Sequence, residues 1–564
     1  MPAAELLRVR FRRLWEEARA HPELIWLAAI VAIGGAARFA TLGLQSFDSG
    51  ETVTAARIIH PSYAATFHAY STIERSGPLY YTLAWAWSHL FGLGEVGLRS
   101  LSAIFGTATI VVAYLIGREL VSRRTGLIAA GLAAAGPDLF WYSQEARSYP
   151  LFIFFTGLGV YFFVRALRRP SAGNLSGWAL SSALALCTHY FAAFSIGPEA
   201  LWLLVAGRRH ATGIRRPAIA VGVLGAVGFA LLPLATHQEG SGRANSFKAI
   251  PVLERGATSL VKFMMGEGPS TSGRWAAMPQ TSRALGLLAL GVCAVAIAIL
   301  LTSLRGERRS RAAAVAVVAG AAFTLPLALA LAGVDYIEPR NLLGSLLPLL
   351  ALVAGGLDLA GRRLADARAN GSLRLAPAIA LAAPFCVMLV LTTANPQLQR
   401  DNWRGLSKLV AQRGRVGVLL TQPPSAGKPL DYYLTRPLPR LAAPDFPCGV
   451  KTRKIVTLSS TRPEPVSRPF HLVAYHETRQ DWIVAIYAAR RPHRITATEL
   501  RAIDILRYDE EARVVEARKV EPRPLGERFA VRRGRSPWTG ATRAPLGRSG
   551  PCVAYRGAIR LQSS

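Results

Sequence analysis

Cysteine is scarce in this 564-residue chain, and none of the five shows the close paired spacing of a zinc or redox site. A disulfide scaffold and a thiolate metal centre are therefore excluded. Cys187, Cys293 and Cys386 lie in apolar stretches where they need only pack, whereas Cys448 and Cys552 lie in a polar tail and would be able to pair in an oxidising compartment. Acids are also few, 34 against 66 Lys and Arg, for a net charge of +32. Charged residues make up only 18% of the chain and apolar ones 51%, which excludes intrinsic disorder. Also absent are a Gly-rich phosphate loop, a nucleophile elbow, metal-ligand spacing and the internal repeat that marks paired transporter halves. No cofactor and no metal is expected. The basic excess does not point to nucleic acid, because the tail lacks an aromatic-basic repeat and the remaining Arg clusters have another explanation.

What is present is hydrophobic length. A membrane helix needs about 20 mostly apolar residues, and candidate spans run over 24–42, 97–117, 126–142, 149–166, 176–191, 193–206, 218–236, 284–304, 312–333, 341–360 and 375–393. The first lacks a small-residue cleavage site and does not read as a signal peptide. A shorter apolar piece, 79–93, is studded with Trp, Tyr and His and reads as an interfacial or re-entrant helix. Basic clusters at Arg8/Arg10/Arg12/Arg13, Arg118/Arg123/Arg124, Arg165/Arg168/Arg169, Arg208/Arg209/Arg215/Arg216, Arg305/Arg308/Arg309/Arg311 and Arg362/Arg363/Arg368/Arg374 fall on every second connection. Short cytoplasmic loops carry such charge. Eleven spans thus place the N-terminus inside and the tail outside.

The expected organisation is a basic N-terminus (1–23), a polytopic α-helical membrane domain (24–393) with a first outer loop at 43–96, and a mixed α/β extracytoplasmic domain (394–521). Its strands are expected at 416–421, 454–458, 471–475 and 482–487, where short β-rich runs alternate with Pro/Gly turns. From Pro522 to Ser564 the Arg/Gly/Pro composition reads as poorly ordered.

This topology sorts the remaining polar residues onto the outer face. They are Asp48 and Glu51 in the first loop, Glu145, Arg147 and Tyr149 after the third span, His189 and Tyr190 after the fifth, and Glu338 and Arg340 after the ninth. Ionisable residues at membrane depth must pair or face a wet cavity, so each is a site candidate. The plainer reading makes Glu145/Arg147 and Glu338/Arg340 structural ion pairs. A carboxylate here can serve as general base toward an acceptor hydroxyl or amine, and a phosphate leaving group calls for Arg, Lys or a metal. Arg147 and Arg340 are then the phosphate ligands of a lipid-phosphate sugar and Asp48 or Glu51 the base, with His189, Tyr190, Tyr149 and Glu145 completing the substrate site.

Several motifs in this order carry a resemblance: Gln45-Ser46-Phe47 with nearby acids, Gly77-Pro78-Leu79-Tyr80-Tyr81, Arg99, Gly117-Arg118, and Ser143-Gln144-Glu145-Ala146-Arg147-Ser148-Tyr149. From about Ala37 to Ala360 the chain resembles the bacterial family-39, dolichyl-phosphate-mannose-transferase-like glycosyltransferases of the C-type membrane fold, which include aminoarabinose transferases and Rgt-like enzymes. The resemblance implies inverting transfer of a sugar from a polyprenyl-phosphate donor to an extracytoplasmic acceptor (glycolipid, wall polysaccharide or protein) at the bacterial cytoplasmic membrane, with membrane lipids as further partners. The family's adjacent Asp-Glu is altered here: Gly50 stands at the Asp position and Glu51 at the Glu, leaving Asp48 as the alternative acid. Arg340 is followed by Asn341 where the family often has Tyr. The segments Asp401-Asn402-Trp403-Arg404 and Leu430-Asp431-Tyr432-Tyr433 look like the family's outer domain.

Two other classes compete. A transporter or flippase would carry its charges near mid-membrane, and a non-catalytic member of the same fold would have lost the base.

Overall fold

The computed structural model describes residues 21–208, 213–239, 250–266, 280–412, 418–422, 427–434, 440–442, 450–459, 469–478, 482–495 and 511–514. Cys448, Cys552 and the tail from Pro522 lie outside them. The chain divides into a helical unit (residues 1–44, 63–91 and 95–398) and a second unit (45–62, 92–94 and 399–564).

Among the described residues of the helical unit, nine helices are long and apolar enough to cross a membrane: Pro22–Ala40, Glu95–Leu120, Tyr149–Arg168, Tyr190–Gly207, Arg215–Gln238, Gln280–Ser303, Gly306–Leu331, Pro339–Ala367 and Gly371–Ala394. The two other expected spans take a different form. The apolar run 126–142 is split into Arg123–Ala135 and Pro137–Ser143. Gly136 between them is extended (ψ 118°), as a residue before Pro tends to be, and Pro137 restarts the helix at a position where its missing N–H costs nothing. The run 176–191 becomes Ala172–Thr188, 17 residues ending at an extended His189. At 1.5 Å per residue it is about 26 Å long, just short of the hydrocarbon core. The piece at 79–93 forms Leu79–Phe91, 13 residues and too short to span.

Buried polar groups tie the bundle at both ends. Arg38 is fully buried and donates to the carbonyls of Gly34 (2.9 Å), Ala133 (3.1 Å) and Ala134 (3.2 Å). The last two are orphan carbonyls of the helix that stops at Ala135, where a cation also meets the negative end of the helix dipole. At the other end of that helix, Asp358 has no solvent exposure and accepts from Thr125 Oγ1 (2.8 Å), Ser122 Oγ (3.0 Å) and Arg362 Nη2 (2.9 Å).

Where helices cross, small residues let backbones touch. A Cβ on Gly356 would lie 1.8 Å from the carbonyl oxygen of Ala296. Gly356→Ala should therefore force Gln280–Ser303 away from its neighbour and lower stability by about 1–3 kcal/mol. Gly291→Ala, with nothing within 4 Å of its Cβ, is the control and should leave the melting temperature in detergent unchanged or slightly higher.

Among the described residues of the second unit are the strands β1 Val418–Gln422, β2 Arg440–Ala442, β3 Val450–Ser459, β4 His471–Glu477, β5 Ile483–Ile495 and β6 Glu511–Val514. These six form one mixed sheet of order β2-β6-β1-β3-β5-β4. β1 and β3 pair in parallel and the other neighbours antiparallel. Leu419, Leu420, Ile455, Leu458, Val484 and Tyr487 are buried in it.

The loop 45–62 belongs to this unit, bound by backbone and side-chain hydrogen bonds. Ser46 Oγ donates to the carbonyl of Asp401 (2.6 Å) and accepts from the Trp403 N–H (3.0 Å). Gln45 Oε1 accepts the Arg400 N–H (2.9 Å), and the Phe47 N–H donates to the Tyr433 hydroxyl (2.6 Å). The motifs Gln45-Ser46-Phe47 and Asp401-Asn402-Trp403 are therefore two halves of one junction.

Candidate active site

In the helical unit Glu145 and Arg147 lie on the turn between Pro137–Ser143 and Tyr149–Arg168, and His189 and Arg340 come to it from other elements. The turn is held from both sides. Gly106 lies so close to Ser143 that an added Cβ would come within 2.2 Å of its side chain, and Gln144 Nε2 donates to the Arg38 carbonyl (3.0 Å) and to Thr41 Oγ1. Arg147 thus leaves a rigid support.

Arg147 is buried, and both of its terminal nitrogens donate to Glu74: Nη1 to Oε1 at 2.6 Å and Nη2 to Oε2 at 2.9 Å. Burial works against its charge, but the carboxylate more than offsets this and holds the guanidinium pKa well above its ordinary value. Its Nε has no hydrogen-bond partner among the described residues. The guanidinium carbon lies 6.0 Å from the centre of the Tyr149 ring, and that of Arg340 lies 5.9 Å from the same centre. Two cations therefore share one aromatic ring. Arg340 is itself paired with Glu338.

His189 joins this cluster. Its ring is 6.1 Å from Tyr149 and stacks on Phe152 at 4.8 Å, and its Nδ1 accepts the Phe191 N–H at 3.3 Å. In the neutral ring that bond leaves the proton on Nε2. Glu145 is buried with its charge acting on both Tyr149 and Arg340. Tyr190 is engaged elsewhere, its hydroxyl donating to Gln238 Oε1 at 3.0 Å.

Of the two ion pairs read from the sequence, Glu338/Arg340 forms and Arg147 chooses Glu74 instead of Glu145. Glu74 is absent from the residues expected from sequence, and its place just before Ser76-Gly77-Pro78 is the sequence signal that points to it. Tyr81 is a second addition: its hydroxyl is buried without a hydrogen-bond partner among the described residues. Burial pushes its pKa well up, and the charges of Arg147 and Glu74 both reach it.

The acids of the first loop lie in the second unit. Asp48 caps the short helix Ser49–Val53: its Oδ1 accepts the Glu51 N–H at 2.7 Å, and Glu51 Oε2 accepts the Asp48 N–H at 3.0 Å. This is a reciprocal capping box. Glu51 has no solvent exposure and lies 3.9 Å from Arg400 Nε. Asp48 is partly exposed, and only its Oδ1 is hydrogen-bonded among the described residues. Burial raises the pKa of Asp401, the hydrogen bond from Trp482 Nε1 (2.9 Å) lowers it, and the Asp48 charge raises it further.

Residues 75–234 match the model of the dolichyl-phosphate-mannose-protein mannosyltransferase family. ArnT from Cupriavidus metallidurans bound to undecaprenyl phosphate superposes with a TM-score of 0.51 at 14% identity, over 82% of this chain and 98% of that one. The fold is that of the C-type membrane glycosyltransferases. The apo state of the same ArnT gives 0.50 at 13% identity, over 82% and 97% of the two chains. Archaeoglobus fulgidus AglB, in complex with an inhibitory peptide and a dolichol-phosphate, gives 0.46 at 14% over 70% and 58%. No curated protein matches the chain in sequence. The family likeness expected from the motifs thus holds over a segment of this C-type fold that contains Arg147, Tyr149 and His189, while Asp48 and Glu51 precede it and Arg340 follows.

Proposed function

We propose that the protein transfers a sugar from a polyprenyl-phosphate donor to an extracytoplasmic acceptor. The observation that carries this reading is Arg147, a buried and permanently charged guanidinium sharing the Tyr149 ring with Arg340, inside the family-matched segment. Arginine is suited to the task because its planar fork meets phosphate oxygens with two parallel hydrogen bonds. In this reading Arg147 and Arg340 hold the donor phosphate and its negative charge as it departs. His189, Tyr149 and Glu145 supply the polar surround for the substrate, and Tyr190, bonded to Gln238, stays outside it.

Asp48 is the proposed base. An acceptor hydroxyl or amine gives its proton to the carboxylate, its heteroatom bonds to the anomeric carbon, and the bond from that carbon to the phosphate oxygen breaks. Glu51, sealed in the cap, orients Asp48 without meeting substrate. The protein is placed in a bacterial cytoplasmic membrane with its N-terminus inside and residues 394–521 as an extracytoplasmic domain, as the alternating Arg clusters favour.

The test is purified protein in nanodiscs with a panel of polyprenyl-phosphate sugars, followed for transfer or hydrolysis. Arg340→Ala should weaken donor binding about 10- to 100-fold, the equivalent of a lost charge-assisted hydrogen bond. No turnover of any donor, together with unchanged lipid-phosphate affinity in Arg340→Ala, would sink the reading. Donor binding without turnover would identify a non-catalytic member of the fold.

A further inference from the structure

Among the described residues, the charges gathered around Arg147 and Arg340 cancel before any donor arrives. Arg147 is taken by Glu74 and Arg340 by Glu338, and Arg75, stacked 5.9 Å from the Tyr336 ring, and Glu145 add one charge of each sign. An arriving phosphate therefore gains no net positive charge from these six groups, and the Arg147 fork opens to it only if the pair with Glu74 opens. Of the two pairs, only the Arg147–Glu74 pair is buried on both sides with both guanidinium ends engaged. A carboxylate in that two-pronged arrangement presents the same pair of oxygens that a phosphate would.

We propose that Glu74 is an internal stand-in for the donor phosphate, holding Arg147 until a polyprenyl-phosphate group exchanges with it. The inference rests on the donor reading above. Three further observations support it. Glu74 is the first residue after the helix Tyr63–Ile73, on the irregular segment leading to Leu79–Phe91, so exchange needs only local rotation. That segment is anchored just beyond: a Cβ on Gly77 would lie 2.2 Å from the Cys187 carbonyl, so the support stays while the side chain moves. Finally, Arg147 Nε and the Tyr81 hydroxyl, both buried and without hydrogen-bond partners among the described residues, are donors in reserve for an anion with more oxygens than a carboxylate has.

The exchange makes a prediction opposite to a scaffolding role. If Glu74 competes with the phosphate, Glu74→Gln leaves a buried cation without a counter-ion, and affinity for undecaprenyl phosphate in nanodiscs should tighten about tenfold. If Glu74 merely positions Arg147, the same variant binds equally or more weakly, and that result overturns the proposal. Should Glu74→Gln fail to fold, Glu74→Asp carries the test, because it keeps the charge one methylene short of Arg147: tighter binding supports exchange, while unchanged or weaker binding overturns it. Arg340→Ala separates this from the donor reading. Its loss of affinity alongside an unchanged Glu74→Gln rejects exchange alone, whereas a wild-type protein that does not bind the lipid phosphate rejects both.

Discussion

Asp48→Asn should cut sugar transfer about 10²- to 10⁴-fold, the usual contribution of a general base, while leaving the loop folded. The substitution is clean because Asn caps a helix as well as Asp does, and its amide oxygen can still accept the Glu51 N–H that Asp48 Oδ1 now binds at 2.7 Å. Only the ability to take a proton is lost. Transfer rates measured beside thermal melting check it, and full activity in a normally melting Asp48→Asn protein would remove the base from this loop. Glu51→Gln, at a residue with no solvent exposure, should act through stability and loop position instead.

The second large effect is on folding. Arg147→Ala strips both charge-assisted hydrogen bonds from the buried Glu74 carboxylate, a defect that costs about 3–5 kcal/mol in comparable buried pairs. The double variant Arg147→Ala/Glu74→Ala removes both charges and should recover most of that loss, since buried ion pairs are often no better than the neutral groups that replace them. Donor binding should stay lost in both. Thermal melting in detergent, set against lipid-phosphate affinity, separates the two consequences; a double variant as unstable as the single one would mean that the pair is not what holds this part of the fold.

Much of this was written in the sequence, and the omissions have physical causes. Apolar length located the nine long helices because the membrane criterion is local. In 126–142 an apolar average hides the break at Gly136-Pro137 that divides the run into two helices, although that dipeptide is itself a stop signal. In the tail, β1, β3, β4 and β5 followed from β-branched and aromatic runs, while β2 has only three residues and β6 reads Glu-Ala-Arg-Val, with too little pattern to find. Within the site, Arg147 was legible through its motif. Its partner was not: Glu145 is two residues away, whereas Glu74 is 73 residues away, and only the fold brings it near. Conversely, the Asp48-x-x-Glu51 spacing is a local capping signature, so the same two acids carry both a structural and a chemical meaning in the sequence.

The junction that holds the first loop has a consequence in time. The hydrogen bond from Ser46 to Asp401 spans 355 residues, and at roughly 5–20 residues per second of synthesis its second half emerges ~20–70 s after its first. Through that interval Asp48 and Glu51 are made, but their loop lacks Arg400, Trp403 and Tyr433. The acid-bearing loop is completed only after the whole helical bundle has been synthesised, so the proposed base would be set in place last.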